Sequence, residues 1–167
     1  MKIETKRLII TEFTADMIEA VHLNSLDDDT RRFVPDEVFE TMEEAQDTVE
    51  FLMTRYENLE DPLVYPVLTK TGDNIGYVQL VEIDEGYEIG YHIGKKYTCN
   101  GYASEAVAAF LPEIMHIKGI SEVHGICQSA NIASIKVMEK CGFTKTFEGM
   151  GPYQGGEMPI CRFIYKN

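Results

Sequence analysis

The chain has 167 residues, 44% apolar and 26% charged, with 15 Lys and Arg against 28 Asp and Glu for a formal net charge of −13. That length suits one domain with a buried core and is too short for two ordinary ones, while the acidic balance excludes affinity built on neutralising nucleic-acid phosphates. No apolar run approaches a membrane span and residues 1–7 carry no signal-peptide core, so a cytoplasmic protein without nucleic-acid or membrane partners is expected, suited by its charge to a cationic acceptor such as an amine, a polyamine or a basic peptide.

Residues 7–13 read as a short strand, and Thr14-Ala15-Asp16 opens a helix with Met17, Ile18, Val21 and Leu23 at its apolar positions, ending at Asp27-Asp28-Asp29. The next segment, with Phe33 and Pro35, reads as irregular. Thr41-Met42-Glu43-Glu44 is a capping box that opens a long helix carrying Val49, Leu52, Met53 and Tyr56, and Asp61-Pro62 stops it. Three strands in meander order follow at residues 63–69, 75–83 and 87–93, joined by turn residues. After a glycine-bearing loop comes a helix with Ala103, Ala106, Val107, Phe110, Leu111 and Ile114 at helical spacing. A strand at 123–127, a short helix at Ile132–Lys140 closed by Gly142, and strands at 143–147 and 158–165 complete the order βααβββαβαββ. With no repeat, low-complexity tract or linker, residues 1–167 read as a single α/β domain with a mixed sheet.

The chain is organised around residues 87–115, where a β-rich alternation runs through a polar loop containing Gly94, Asn100 and Gly101 into a helix. Such a junction leaves the first N–H groups of the helix without intrahelical partners, and the helix dipole adds positive character, so the loop can cradle phosphate oxygens. Gly101 lets the backbone approach a ligand closely and Ala103 keeps the next side chain small. Neither G-x-x-x-x-G-K-[ST] nor a G-x-G-x-x-G opening a βαβ unit is present. There is also no G-x-S-x-G elbow and no Cys–His pairing for a covalent mechanism. Cys99, Cys127, Cys141 and Cys161 stand at no metal-like spacing and read as reduced thiols, so no metal is expected.

Thr98-Cys99-Asn100-Gly101-Tyr102-Ala103, followed by Ser104-Glu105-Ala106, resembles the acetyl-coenzyme A pyrophosphate loop of the GNAT superfamily of N-acetyltransferases, Q/R-x-x-G-x-G/A, with Thr98 in place of the usual Gln or Arg. E-T-K-R-L-I-I at 4–10, E-I-G-Y at 88–91, G-Y-A-S-E-A at 101–106 and N-x-x-S-x-x-V-x-E-K-x-G-F at 131–143 are similar to the branch containing the ribosomal-protein alanine N-acetyltransferases.

The resemblance implies the GNAT fold, an α/β architecture in which a mixed, mostly antiparallel sheet of about seven strands is flanked by about four helices. It implies an acetyl-coenzyme A-dependent N-acetyltransferase that moves the acetyl group directly to a primary amine, on a small molecule or a protein N-terminus. Tyr91, His92, Ile93 and Gly94 would meet the pantetheine and polarise the thioester carbonyl. Thr98, Cys99, Asn100, Gly101, Tyr102, Ala103 and Ser104 would hold the pyrophosphate, and Asn131 and Ser134 would touch the arm. Glu88 is the candidate base, with His92 on the same strand face as the second candidate. Ser134 is the candidate acid, because Met138 stands where many members carry a tyrosine. The acceptor would be held by the first two helices, their connection at 27–37 and the segment 149–156. Monomer and homodimer both fit. The alternative is a non-catalytic coenzyme A-binding sensor or partner module; a nucleotide-phosphate enzyme ranks last, since the loop offers only Lys95 and Lys96 and no carboxylate pair.

Overall fold

The chain runs through β1 (Ile3–Glu4), β2 (Leu8–Ile10), α1 (Ile18–Ser25), α2 (Asp28–Phe33), α3 (Met42–Met53), β3 (Leu63–Thr69), β4 (Asn74–Ile83), β5 (Gly86–Ile93), α4 (Tyr102–Lys118), β6 (Glu122–Gln128), α5 (Ile132–Lys140), β7 (Thr144–Tyr153) and β8 (Gly156–Lys166). The structure, a computed structural model, describes residues 1–167. The strands form one open sheet in the order β1-β2-β3-β4-β5-β6-β8-β7. All neighbours are antiparallel except β5 and β6, which are parallel and in register at a single pair, Glu88 with His124. Beyond that pair the two strands separate, opening a wedge at their C-terminal ends.

Alternation along the strands divides the core in two. Leu63, Tyr65 and Val67 of β3 and Ile89 of β5 join the main core, which Val107, Phe110, Leu111 and Ile114 of α4 cover. Val64, one step out of phase, joins Phe13, Val49 and Leu52 in a smaller cluster under α1 and α3. Each fully buried Phe or Leu contributes about 1.5–3 kcal/mol. α4 and α5 therefore lie on one sheet face, α1 and α3 on the other.

Local signals account for most element ends. The Thr41 hydroxyl accepts the Glu44 N–H at 3.2 Å and the Glu44 carboxylate accepts the Thr41 N–H at 3.1 Å, completing the capping box of α3. The sheet has eight strands and the fold five helices, against about seven and about four expected. The extra helix is α2: Asp27, which reads as the end of the first helix, instead caps a second one, accepting the Thr30 N–H at 2.9 Å and its hydroxyl at 2.8 Å. Leu23, expected on the apolar face of α1, is exposed. The last two strands are longer than the expected 143–147 and 158–165: β7 and β8 run on through 149–156 to a tight turn in which Gln154 and Gly155 both have positive φ, +49° and +76°.

Candidate active site

The loop between β5 and α4 is built as a backbone cradle. Gly101 caps α4 with φ +76°, a left-handed conformation that a side chain would strain, and the first helical bond runs from Glu105 N–H to the Gly101 carbonyl at 3.1 Å. The preceding N–H groups of Tyr102, Ala103 and Ser104 have no intrahelical acceptor. Side chains brace the loop rather than face the cradle. Asn100 turns its amide back onto the Tyr97 and Thr98 carbonyls at 3.1 and 2.9 Å, and the Thr98 hydroxyl donates to the Lys95 carbonyl at 2.9 Å. Ser104 is buried, Cys99 is exposed, and Tyr102 lies under the Arg7 guanidinium at 4.6 Å. Arg7 also donates to the Asn100 carbonyl at 2.9 Å and to Glu105 at 2.6 Å.

A cavity of about 430 Å³ runs from this loop to the wedge, lined by Tyr91, His92, Ile93, Thr98, Ala103, Asn131 and Ser134 from the expected set. Its other wall comes from α2 and the residue after it and includes Thr30, Phe33 and Val34, a contribution hidden when that segment reads as irregular. Gly94 is corrected in its role: its N–H already donates to the Ile75 carbonyl at 2.9 Å, so it is not free to polarise a ligand. The His92 carbonyl also points at β4, where a Cβ on Gly76 would lie 2.0 Å from it. By ladder alternation, the backbone groups of Tyr91 and Ile93 face the wedge.

Within the wedge a second cavity of about 380 Å³ brings Glu88 together with Tyr91, Ser134, Asn131, Cys127 and Glu37. Side chains from opposite sheet faces meet here only because β5 and β6 part. On the α5 side, Asn131 accepts the Ser134 N–H at 3.1 Å, and the Ser134 hydroxyl pairs with the Tyr91 hydroxyl at 2.8 Å. Met138 fills the floor, its sulfur packed so closely on Gly125 that a Cβ there would approach to 2.6 Å. On the α1 and α3 side, Gly90 leaves room for Gln79, whose amide donates to Glu37 at 3.2 Å. Tyr153 and Gln154, at the tip of the β7–β8 hairpin, each donate to the Phe33 carbonyl at 3.4 Å and so bridge the mouth of the wedge to α2. His92, the second base candidate, is committed elsewhere: its Nε2 pairs with the Thr30 hydroxyl at 2.7 Å and its ring stacks on Tyr77. Burial holds its pKa below the usual value, against the opposing pull of Asp27.

The titration of the wedge is set mainly by desolvation. Burial pushes Glu88 up to about 7; the Arg162 guanidinium lowers it and Glu37 raises it. Glu37 is also raised to about 7 by burial, against the Gln79 hydrogen bond, with Asp36 adding to the rise. Burial lifts the Tyr91 phenol and takes the Cys127 thiol to about 11, so both stay protonated at neutral pH. Between the ordinary carboxyl value of 4.5 and about 7, the folded protein holds protons that the unfolded chain has released. Stability from this source is therefore complete below 4.5 and lost as pH rises through about 7. Glu37→Gln should make the fall in Tm from about pH 5 to about pH 8 shallower, as read by calorimetry; an unchanged slope would remove Glu37 from this account.

Glu37 is invisible in the sequence as a titrating partner of Glu88, because only tertiary placement brings a 3-10 turn (Pro35–Glu37) over β5. Tyr91 is expected there for its backbone alone, and its hydroxyl contact with Ser134 likewise depends on how α5 docks.

The acetyltransferase (GNAT) domain family matches residues 7–144. An uncharacterized N-acetyltransferase of Bacillus subtilis, YnaD, is 32% identical over 148 residues, covering 87% of this chain and 84% of the relative. The crystal structure of a GNAT-family acetyltransferase from Bacillus anthracis superposes with a TM-score of 0.84 at 27% identity, over 99% of this chain and 98% of that one. RimL, a ribosomal L7/L12 α-N-protein acetyltransferase solved with coenzyme A, shares the fold at a TM-score of 0.83 and 16% identity, over 99% of this chain and 98% of its own.

Proposed function

Because the chain belongs to the GNAT acetyltransferase family, we propose that it moves the acetyl group of acetyl-coenzyme A directly onto a primary amine held in the wedge between β5 and β6. Residues 1–167 act as one catalytic domain, and no helix is long and apolar enough to cross a membrane; a cytoplasmic setting fits this reading. The observation that carries it is the wedge itself, where one cavity is shared by Glu88 on one face and the Ser134–Tyr91 hydroxyl pair on the other. The adjoining cavity leads to the α4 N-terminus, whose free N–H groups and Gly101 turn fit a pyrophosphate. The coenzyme A complex of RimL supports the same use of this fold.

When bound, acetyl-coenzyme A supplies an activated thioester. The wedge-facing N–H groups of Tyr91 and Ile93 polarise its carbonyl oxygen. Glu88, with a pKa near neutrality, takes a proton from the acceptor ammonium through water. As the C–S bond breaks, Ser134, hydrogen-bonded to Tyr91, gives a proton to the departing sulfur, and the second proton, lost by the new amide nitrogen, restores the hydroxyl. The acceptor lies against Glu37, Val34 and Tyr153, which line the same cavity. RimL acts on a ribosomal protein N-terminus by its name, and an N-terminal amine or a small amine both suit this site.

A thiol-release assay of acetyl-coenzyme A against a panel of amines and N-terminal peptides tests the reading. Turnover with one acceptor class is expected. Coenzyme A binding in calorimetry with no thiol release from any acceptor would instead support the sensor module, and absence of binding would sink both.

A further inference from the structure

A separate cavity, between α1, α3 and strands β3 and β4, has no part in the transfer steps. It measures about 280 Å³, and Phe13, Val21, Val49, Leu52 and Val64 form much of its wall. Two polar atoms of that wall are sealed from solvent and have no partner: Asn74 Nδ2 and the Tyr77 hydroxyl. Asn74 is only 9% exposed; its Oδ1 accepts the Gly76 N–H at 3.1 Å, leaving Nδ2 as an unused donor. Buried donors without acceptors are rare and destabilising, and two in the wall of one apolar cavity mark groups that a ligand oxygen would satisfy once a side-chain rotation turns them into it.

The cavity adjoins the wedge. Glu37 and Gln79, hydrogen-bonded to each other at 3.2 Å, line both, so a molecule whose amine lies at Glu88 extends into it where that pair parts. Its wall holds no Lys or Arg, and its only carboxylates, Asp36 and Glu37, come from one turn at that junction. A carboxylate inside would lack a counter-ion, since burial lowers the pKa of His92, and a second ammonium beyond Glu37 would meet no further carboxylate. An apolar cavity of about 150 Å³ holds a benzene ring, so this one has room for a ring with a substituent.

We propose that this cavity is the acceptor's specificity pocket, taking an uncharged apolar body tipped by a hydrogen-bond-accepting oxygen that Asn74 Nδ2 and the Tyr77 hydroxyl receive. The position of the amine rests on the transfer reading; occupancy of the cavity does not.

Calorimetry in the presence of coenzyme A tests it with three probes: para-(aminomethyl)benzamide, the isosteric para-(aminomethyl)benzoate, and propylamine. The benzamide should bind about 10-fold or more tighter than propylamine through its buried ring, and the benzoate no tighter than propylamine. Tyr77→Phe removes only an unpartnered hydroxyl, so Tm should hold while benzamide affinity falls about 5–10-fold. Val21→Phe fills the space and should erase the preference, with propylamine and coenzyme A binding unchanged. Equal wild-type affinity for benzamide and propylamine, or variants that weaken both alike, would overturn the proposal. If the preference and its loss are seen but no amine releases thiol, the pocket stands and the transfer reading falls. If propylamine releases thiol and the benzamide is not preferred, the transfer reading stands and the pocket falls.

Discussion

Glu88→Gln should lower kcat by about 10²–10⁴-fold, the usual contribution of a positioned general base, with KM for acetyl-coenzyme A nearly unchanged. The amide keeps the size of the side chain and can accept no proton at neutral pH. Glu88 does not line the cavity that leads to the cradle, so cofactor binding should survive the change. The wild-type pH profile of kcat should fall below about 7, where Glu88 becomes protonated. Glu37→Gln should move that acid limb downward, because the Glu37 charge is one of the causes that raise Glu88. A Glu88→Gln enzyme with full activity, or an acid limb that Glu37→Gln leaves in place, would take the base role from Glu88.

Ser134→Ala and Tyr91→Phe should each slow turnover, by about 10–100-fold, and the double variant should be little worse than the slower single one. Their hydroxyls are 2.8 Å apart, and Tyr91 also donates to the Ser134 carbonyl at 3.0 Å, so the two are expected to act as one proton-donating unit. Groups in one hydrogen-bond network couple strongly in such cycles. Full kcat in Ser134→Ala with collapse in Tyr91→Phe would assign the donor to Tyr91 alone. Strict additivity would separate the two.

The features legible in the sequence are local. The capping box at Thr41, the meander over β3 to β5 and the α4 repeat are short-range patterns, and all appear where their residues stand. The α2 helix is hidden because its signal conflicts with itself: three successive aspartates read as a solvated end, although the first of them caps α2. The β7–β8 hairpin reads as too short because Gly149, Gly151, Pro152 and Gly156 look like breakers. Strand β7 forms the edge of the sheet, where proline is tolerated, and strong pairing with β8 carries the ladder through. The cradle is legible for its backbone, which depends on the loop alone. The pairing of Tyr91 with Ser134 and the placement of Glu37 near Glu88 are not, since they arise from elements far apart in sequence meeting at a gap in the sheet.

Arg7 spans 98 positions to reach Glu105, and 93 to reach Asn100. These contacts close a long loop, so the turn before α4 has this brace only while β2 is docked on β3. Hydrogen exchange should reflect this: a ligand that stiffens the N-terminus of α4 also slows the opening of β2, which packs on α4 and is tied to its first turn through Arg7. The beginning of the chain is thereby a reporter of occupancy at a loop a hundred residues away.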